Sequence, residues 1–230
     1  PFPMGNPNPY PSELAQRPVF LWGGGIWKWF DIDTLLDSFS ILLQRNSEAA
    51  LYFLAGHNPS QHSDQDSPHA SAAEKARNLG LLGKNVFFNS RKASPDDLPA
   101  YLEHCHAGVL TNGAHLESAT SWRTRQLDLL WAGKPAVVAG EDPLSRLMAN
   151  QGAAWITGAG DSVGLAELVE RSLVPGTWQA AAKAAASMAA ELSRNSIGNS
   201  VATSLGTKGS FRSVGSPLPL SWILRYAVGL

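Results

Sequence analysis

Four charged side chains, Glu117, Arg123, Arg125 and Asp128, fall within twelve residues of one another. They sit in Glu117-Ser118-Ala119-Thr120-Ser121-Trp122-Arg123-Thr124-Arg125-Gln126-Leu127-Asp128, which runs on to Gly133-Lys134-Pro135 and Ala136-Val137-Val138. This order predicts a polar loop, a helix over Arg123 to Trp131, a Gly-x-Pro turn and a buried strand. A helix start carries unpaired N–H groups and partial positive charge, which attract phosphate. Arg123 and Arg125 add guanidinium forks that take phosphate oxygens in pairs. Asp128, a turn further in, offers a carboxylate to sugar hydroxyls. One helix start so equipped holds both ends of a nucleotide diphosphate sugar. The competing reading is a solvated helix start with local ion pairs, each worth little.

The elements that must position these groups alternate along the chain. Strands are predicted at Val19 to Trp22, Ala50 to Ala55, Val86 to Phe88, Ala107 to Leu110, Ala136 to Ala139 and Ala154 to Thr157. Helices are predicted over Asp33 to Gln44, Ser71 to Leu79, Asp96 to His104, Arg123 to Trp131, Pro143 to Asn150, Gly164 to Ser172 and Trp178 to Leu192. Asp31 or Asp33 is the expected N-cap of the first helix. Apolar strands alternating with helices argue an α/β fold, with a parallel sheet of about six strands covered on both faces.

Gly23-Gly24-Gly25 follows the first strand and precedes a helix, the context of a phosphate-binding turn. A tight turn with no ligand explains the same glycines. The dinucleotide fingerprint is incomplete: Lys28 stands where its third glycine belongs, and Gly56-His57-Asn58 replaces the acidic residue that would close the second strand. An NAD enzyme is therefore disfavoured, and no Gly-Lys-Ser/Thr P-loop appears. Ile26-Trp27-Lys28-Trp29-Phe30 either lines a ligand cleft or packs against a neighbouring domain. His104-Cys105-His106 sends its histidines different ways and lacks a second ligand cluster, so no metal is expected. His57, His62 and His69 fall in a polar stretch and read as surface residues, His57 being a weaker site candidate because it follows a strand. No Gly-x-Ser-x-Gly nucleophile elbow is present.

Composition narrows the classes. The 230 residues are 44% hydrophobic and 16% charged, with net charge −1, which is globular and gives nucleic-acid binding no electrostatic support. A single cysteine excludes an intrachain disulfide framework and fits a reducing, cytoplasmic setting. No signal peptide and no membrane-spanning apolar run is visible. The chain reads as a piece beginning inside a longer protein: a proline-rich linker over 1–17, a domain over 18–195 and a Ser/Gly-rich flexible tail over 196–230. Ser221-Trp222-Ile223-Leu224-Arg225-Tyr226 in that tail either packs locally or docks on another domain or a membrane surface, a peripheral contact.

Taken together, Trp22-Gly23-Gly24-Gly25-Ile26-Trp27-Lys28-Trp29-Phe30-Asp31, Asn85-Val86-Phe87-Phe88-Asn89 and the Glu117 to Val138 segment resemble glycosyltransferase family 4. The likeness covers residues 18 to 195 and is to the C-terminal, donor-binding half of a GT-B glycosyltransferase, a Rossmann-like doubly wound sheet. It implies a nucleotide-sugar donor, a glycan or lipid-linked acceptor held by an N-terminal domain absent from this chain, retention of configuration, and neither metal nor cofactor. It places Asp128 on the donor ribose, Arg123, Thr124 and Arg125 at the diphosphate, and the base near Arg91-Lys92-Ala93. It puts Thr120 where a glutamate is expected, with Glu117 as the substitute, and Gly25 and Phe30 where cations are expected, with Lys28 or the two arginines supplying the charge. Glu117 and Arg123 are the expected catalytic pair, and the fragment alone is expected to be inactive. The other functional classes are a non-catalytic nucleotide-binding or interdomain module using Trp27 and Trp29, and half of a nucleotide-sugar epimerase.

Overall fold

Val19-Phe20-Leu21-Trp22 and Ala136-Val137-Val138-Ala139 hold no charged or amide side chain, so neither face of these strands suits water. A computed structural model describes residues 2–55, 67–90 and 93–194 and shows the consequence. Strands β1 (Val19–Trp22), β2 (Ala50–Phe53), β3 (Val86–Phe88), β4 (Ala107–Thr111), β5 (Ala136–Ala139) and β6 (Ala154–Thr157) form one parallel sheet ordered β3-β2-β1-β4-β5-β6. This is the doubly wound Rossmann-like order. Among the described residues the helices are α1 (Ile32–Gln44), α2 (Pro68–Asn78), α3 (Leu98–His104), α4 (Leu116–Thr120), α5 (Arg125–Trp131), α6 (Pro143–Asn150), α7 (Ser162–Ser172) and α8 (Pro175–Arg194).

Alternate residues of each strand serve opposite layers, as the period of two requires. Leu21, Tyr52, Leu110 and Val138 join Leu102, Leu127, Leu130, Met148 and Met188, from α3, α5, α6 and α8. Trp22, Leu51, Phe53 and Val137 join Leu35, Phe39, Ala76 and Val169, from α1, α2 and α7. Strand order reverses between β1 and β4, so the chains leaving these neighbours part toward opposite faces and open a crevice beyond their C-terminal ends.

Asp31 caps α1 by accepting from the Thr34 amide at 3.0 Å and the Thr34 hydroxyl at 2.6 Å. Four helices start two or three residues from the expected positions, at Pro68, Leu98, Ser162 and Pro175, and a fifth differs at the candidate site. The predicted helix over Arg123 to Trp131 begins only at Arg125, after Thr124 as its N-cap. Arg123 is instead tied back to Glu117 and Ser118 of α4, while its carbonyl accepts the Gln126 amide at 3.0 Å. Helix α4, Leu116–Thr120, stands where a polar loop is expected.

Residues 2–17, expected as a linker, lie along the domain. Tyr10 and Leu14 are buried, and Phe2 meets the Trp131 ring edge-on. Tyr10 Oη donates to the Tyr101 carbonyl at 2.9 Å, while the Gly5 and Asn6 amides donate to the Glu103 carboxylate. The tail over 196–230, the His57 and His62 positions, Arg91 and Lys92 fall outside the described residues.

Candidate functional site

The crevice is built by two loops that the sheet brings together. The loop after β1 leaves Trp22 through the three glycines, and the Trp22 indole donates back to the Gly25 carbonyl at 3.3 Å. The loop then folds over the end of β4: Phe30 bridges to Asn112, and the Asp31 amide donates to the Thr111 carbonyl at 3.2 Å. From the other side come α4 and α5, which carry the predicted charges.

Arg125 spans the crevice. Its Nη2 donates to the Gly25 carbonyl at 3.0 Å, and its guanidinium lies over the rings of Trp22 (5.5 Å) and Phe30 (4.8 Å). It therefore touches both positions, 25 and 30, at which the family resemblance expects cations. A Cβ on Gly24 would overlap the Arg125 guanidinium. Gly23, Gly24 and Gly25 all avoid positive φ, so a side chain at 24 would disturb the seat of the Arg125 guanidinium rather than the backbone. Gly23, Arg125 and Asp128 also line a small cavity of about 10 Å³ above Leu21 and Leu110, room for about one water.

Arg123 is held differently. Its Nη1 and Nη2 donate to Glu117 Oε1 and Oε2 at 3.0 and 2.8 Å, Nη2 also donates to Ser118 Oγ at 3.2 Å, and its guanidinium lies 5.4 Å from the Phe30 ring centroid. The pair is asymmetric: the Arg123 side chain is 10% exposed and the Glu117 side chain 54%. The hydrogen bonds from Arg123 hold the Glu117 carboxyl below the usual carboxylate range, with the Ser121 hydroxyl helping. The enclosed member is the cation, and the member facing water is the one free to exchange.

The structure thus joins Gly23, Gly24, Gly25, Arg125 and Asp128 on one side, and Glu117 with Arg123 on the other, around Phe30. Thr124 caps α5 without a side-chain bond to its amides. Ala93 packs at the edge of the α3/α5 core. Lys28 does not line the Gly23/Arg125/Asp128 cavity. It is exposed on a separate groove of about 240 Å³, shared with Trp27, Asp33 and Ser71. Trp27 and Trp29 stack with centroids 5.4 Å apart and are 43% and 46% exposed.

Three residues that sequence reasoning missed anchor the site from below. Asp142 is fully buried and accepts from Gln126 Nε2 at 2.7 Å and from Asn112 Nδ2 at 3.5 Å. It also takes the Leu144 and Ser145 amides in a capping box on α6. This ties the residue after Arg125 to the loop after β4. Asp142-Pro143-Leu144-Ser145 is a readable cap in the sequence; its reach to Gln126 and Asn112 is not.

Other expected groups have structural partners elsewhere. The His104 ring contacts the Asn6 carbonyl at 2.7 Å, and His106 contacts the Ser172 carbonyl at 2.9 Å. Burial pushes the Cys105 thiol up to about 11, so it is not a ready nucleophile. Among the described residues no cluster of three or more His, Cys, Asp or Glu side chains could hold a metal, and no helix is long and apolar enough to cross a membrane.

Solved structures share this fold. The Anabaena protein HepE, in complex with UDP and glucose, superposes with a TM-score of 0.65 at 18% identity, over 84% of this chain and 49% of HepE. The fold matches one half of a GT-B glycosyltransferase. WaaG, a glycosyltransferase involved in lipopolysaccharide biosynthesis, matches with a TM-score of 0.61 at 16% identity, over 84% of this chain and 48% of its own. A UDP-forming trehalose-phosphate synthase from Burkholderia vietnamiensis matches with a TM-score of 0.64 at 14% identity, over 84% and 46%. The chain spans about half the length of the structures it matches. No protein-family model matches it, and no curated protein matches it in sequence.

Proposed function

We propose that this chain is the donor-binding half of a glycosyltransferase, of the family 4 type, and grips the diphosphate of a nucleotide sugar at the crevice beyond β1 and β4. The observation that carries the reading is the convergence of Arg123 and Arg125 on the glycine loop at the point where strand order reverses. Helix α5 has only seven residues, so guanidinium charge, more than helix dipole, is the attraction. The fold likeness to HepE, which was crystallised with UDP-glucose, supports a nucleotide-sugar ligand.

In this reading Arg123 and Arg125 take the charge that grows on the leaving diphosphate, an electrostatic contribution delivered by groups already in place. Asp128, beside the Gly23 cavity, accepts ribose hydroxyls. The Thr124 amide joins the phosphate shell, and Ala93 flanks the base. Glu117 is the resident counter-ion of Arg123; when phosphate takes Arg123, the carboxylate turns to the sugar. Transfer proceeds with retention and without metal, to a glycan or lipid-linked acceptor held by a second domain, in the cytoplasm or at the membrane surface.

Titration of UDP-, GDP- and dTDP-sugars onto the protein tests this directly. Binding of one, weakened by Arg125→Ala, is the expected result; no binding by any of the three removes the reading. A second reading, a module that contacts a partner domain without turnover, is favoured by the stacked, exposed Trp27 and Trp29. Sugar transfer to an acceptor panel by the full-length protein eliminates it.

A further inference from the structure

Phe30 belongs to neither the charged group nor the glycine turn, yet both arginines lie over its ring, at 5.4 and 4.8 Å from the centroid. We propose that Phe30 is a positioning residue that seats Arg123 and Arg125 for the diphosphate by their faces, itself occupying none of their N–H groups. This rests on the donor-binding reading above.

The physical argument begins with the shape of guanidinium. Its five donors lie in its own plane, along the edge, and its faces carry none. An aromatic ring attracts the cation through the quadrupole of its π face and accepts no conventional hydrogen bond. A ring can therefore hold an arginine without occupying its phosphate-binding edge. A carboxylate does the opposite: Glu117 occupies both Nη groups of Arg123. If Glu117 alone fixed Arg123, exchange for phosphate would release the side chain at the moment it is needed. The Phe30 ring keeps it seated through the exchange. Arg123 Nε is buried and has no acceptor among the described residues, so a donor remains for an incoming oxygen.

Phe30 is itself held firmly. Its amide donates to the Trp27 carbonyl at 3.0 Å, its backbone bridges to Asn112, and the Trp22 ring meets its ring edge-on at 5.0 Å. Trp22 is fully buried and also lies under Arg125, so the aromatic support continues into the core. The two cations reach this ring from a segment more than ninety residues away in sequence.

The test is titration of UDP, GDP and dTDP onto the full chain and its variants Phe30→Leu, Phe30→Tyr and Phe30→Ala, with thermal melts to confirm folding. Leucine fills similar space without a π face; tyrosine restores the face. For whichever nucleotide the unaltered protein binds, Phe30→Leu is expected to weaken binding about tenfold, with Phe30→Tyr remaining within about threefold, as a desolvated cation–π contact predicts. Equal binding by Phe30→Leu and the unaltered protein overturns the inference alone. So does an equal loss in Phe30→Tyr, which would mark simple packing. Binding of none of the three nucleotides removes the donor reading and this inference with it. A readout without ligand is the Nε–Hε NMR signals of Arg123 and Arg125. In Phe30→Leu the ring-current displacement is expected to be abolished for Arg123 and reduced for Arg125, which keeps the Trp22 ring; an undisplaced Arg123 signal in the unaltered protein overturns the seating.

Discussion

The two ends of the sheet treat charge in opposite ways. At the end where the strands begin, charged and polar groups are consumed by the chain itself. Lys134 Nζ donates to the Glu103 and Cys105 carbonyls, both at 2.8 Å, and closes α3. Glu103 takes the Gly5 and Asn6 amides, which hold its carboxyl below the usual range. His106 is stacked against Trp178 and bonded to the Ser172 carbonyl. At the end where the strands finish, the arginines rest on aromatic faces, and the carboxylate on Arg123 is half exposed. Ligands bind beyond the C-terminal ends in sheets of this kind. One end is satisfied internally; at the other, above the buried Asp142 network, an ion pair with one member facing water lies open.

The sharpest break of this contrast is Tyr10→Ala. Tyr10 is buried among Tyr52 and Tyr101, and truncating an aromatic of this kind costs about 3–5 kcal/mol. Urea unfolding is expected to show that loss, while nucleotide affinity measured in the remaining folded fraction is unchanged. A matching loss of affinity would mean that the packing of Tyr10 is coupled to the crevice. Arg123→Ala is the reciprocal test: diphosphate binding is expected to weaken by ~1.5–3 kcal/mol, the range of a hydrogen bond to a charged group. Unchanged affinity would remove Arg123 from the site.

Gly24→Ala should imitate part of that effect without touching a charge. The new methyl displaces the Arg125 guanidinium, so calorimetry is expected to show nucleotide affinity falling by roughly 1–2 kcal/mol, part of the worth of a hydrogen bond between charged groups, with the melting temperature little altered because only a side-chain end moves. Glu117→Gln is subtler. It removes the resident counter-ion, so nucleotide diphosphate should bind severalfold tighter, within the small worth of an exposed ion pair, while transfer by the full-length protein slows. Weaker binding would instead make Glu117 a direct ligand.

The smallest expected effect is the pH response of the internally satisfied end. Burial holds His106 below its ordinary 6.5, so the folded chain keeps the imidazole neutral where the unfolded chain takes up a proton. Stability is therefore full above about pH 6.5 and declines as pH falls through that value toward the lower folded pKa. Urea midpoints at pH 7.5 and 5.5 should differ in the unaltered protein and differ less in His106→Gln.

Local signals in the chain carry far. Apolar runs predict all the strands, Asp31 and Asp142-Pro143 mark helix starts, and the order of elements leads to a doubly wound sheet. The segment holding the candidate site is legible too, because charge type and spacing are local properties. The start of α5 is not: Arg123, expected inside the helix, is tied to Glu117 and Ser118 of α4. Nor is the packing of Tyr10 and Leu14, whose proline-rich surroundings suggest a linker.

Local chemistry marks which residues are candidates for phosphate and which elements bury their neighbours. Backbone periodicity, capping and side-chain chemistry act over a few residues, so they can be read from order alone. Only in the folded chain does Phe30, from the loop after β1, meet two arginines from the far side of the crevice. That meeting depends on the reversal of strand order between β1 and β4, a non-local pairing that carries no mark in either segment.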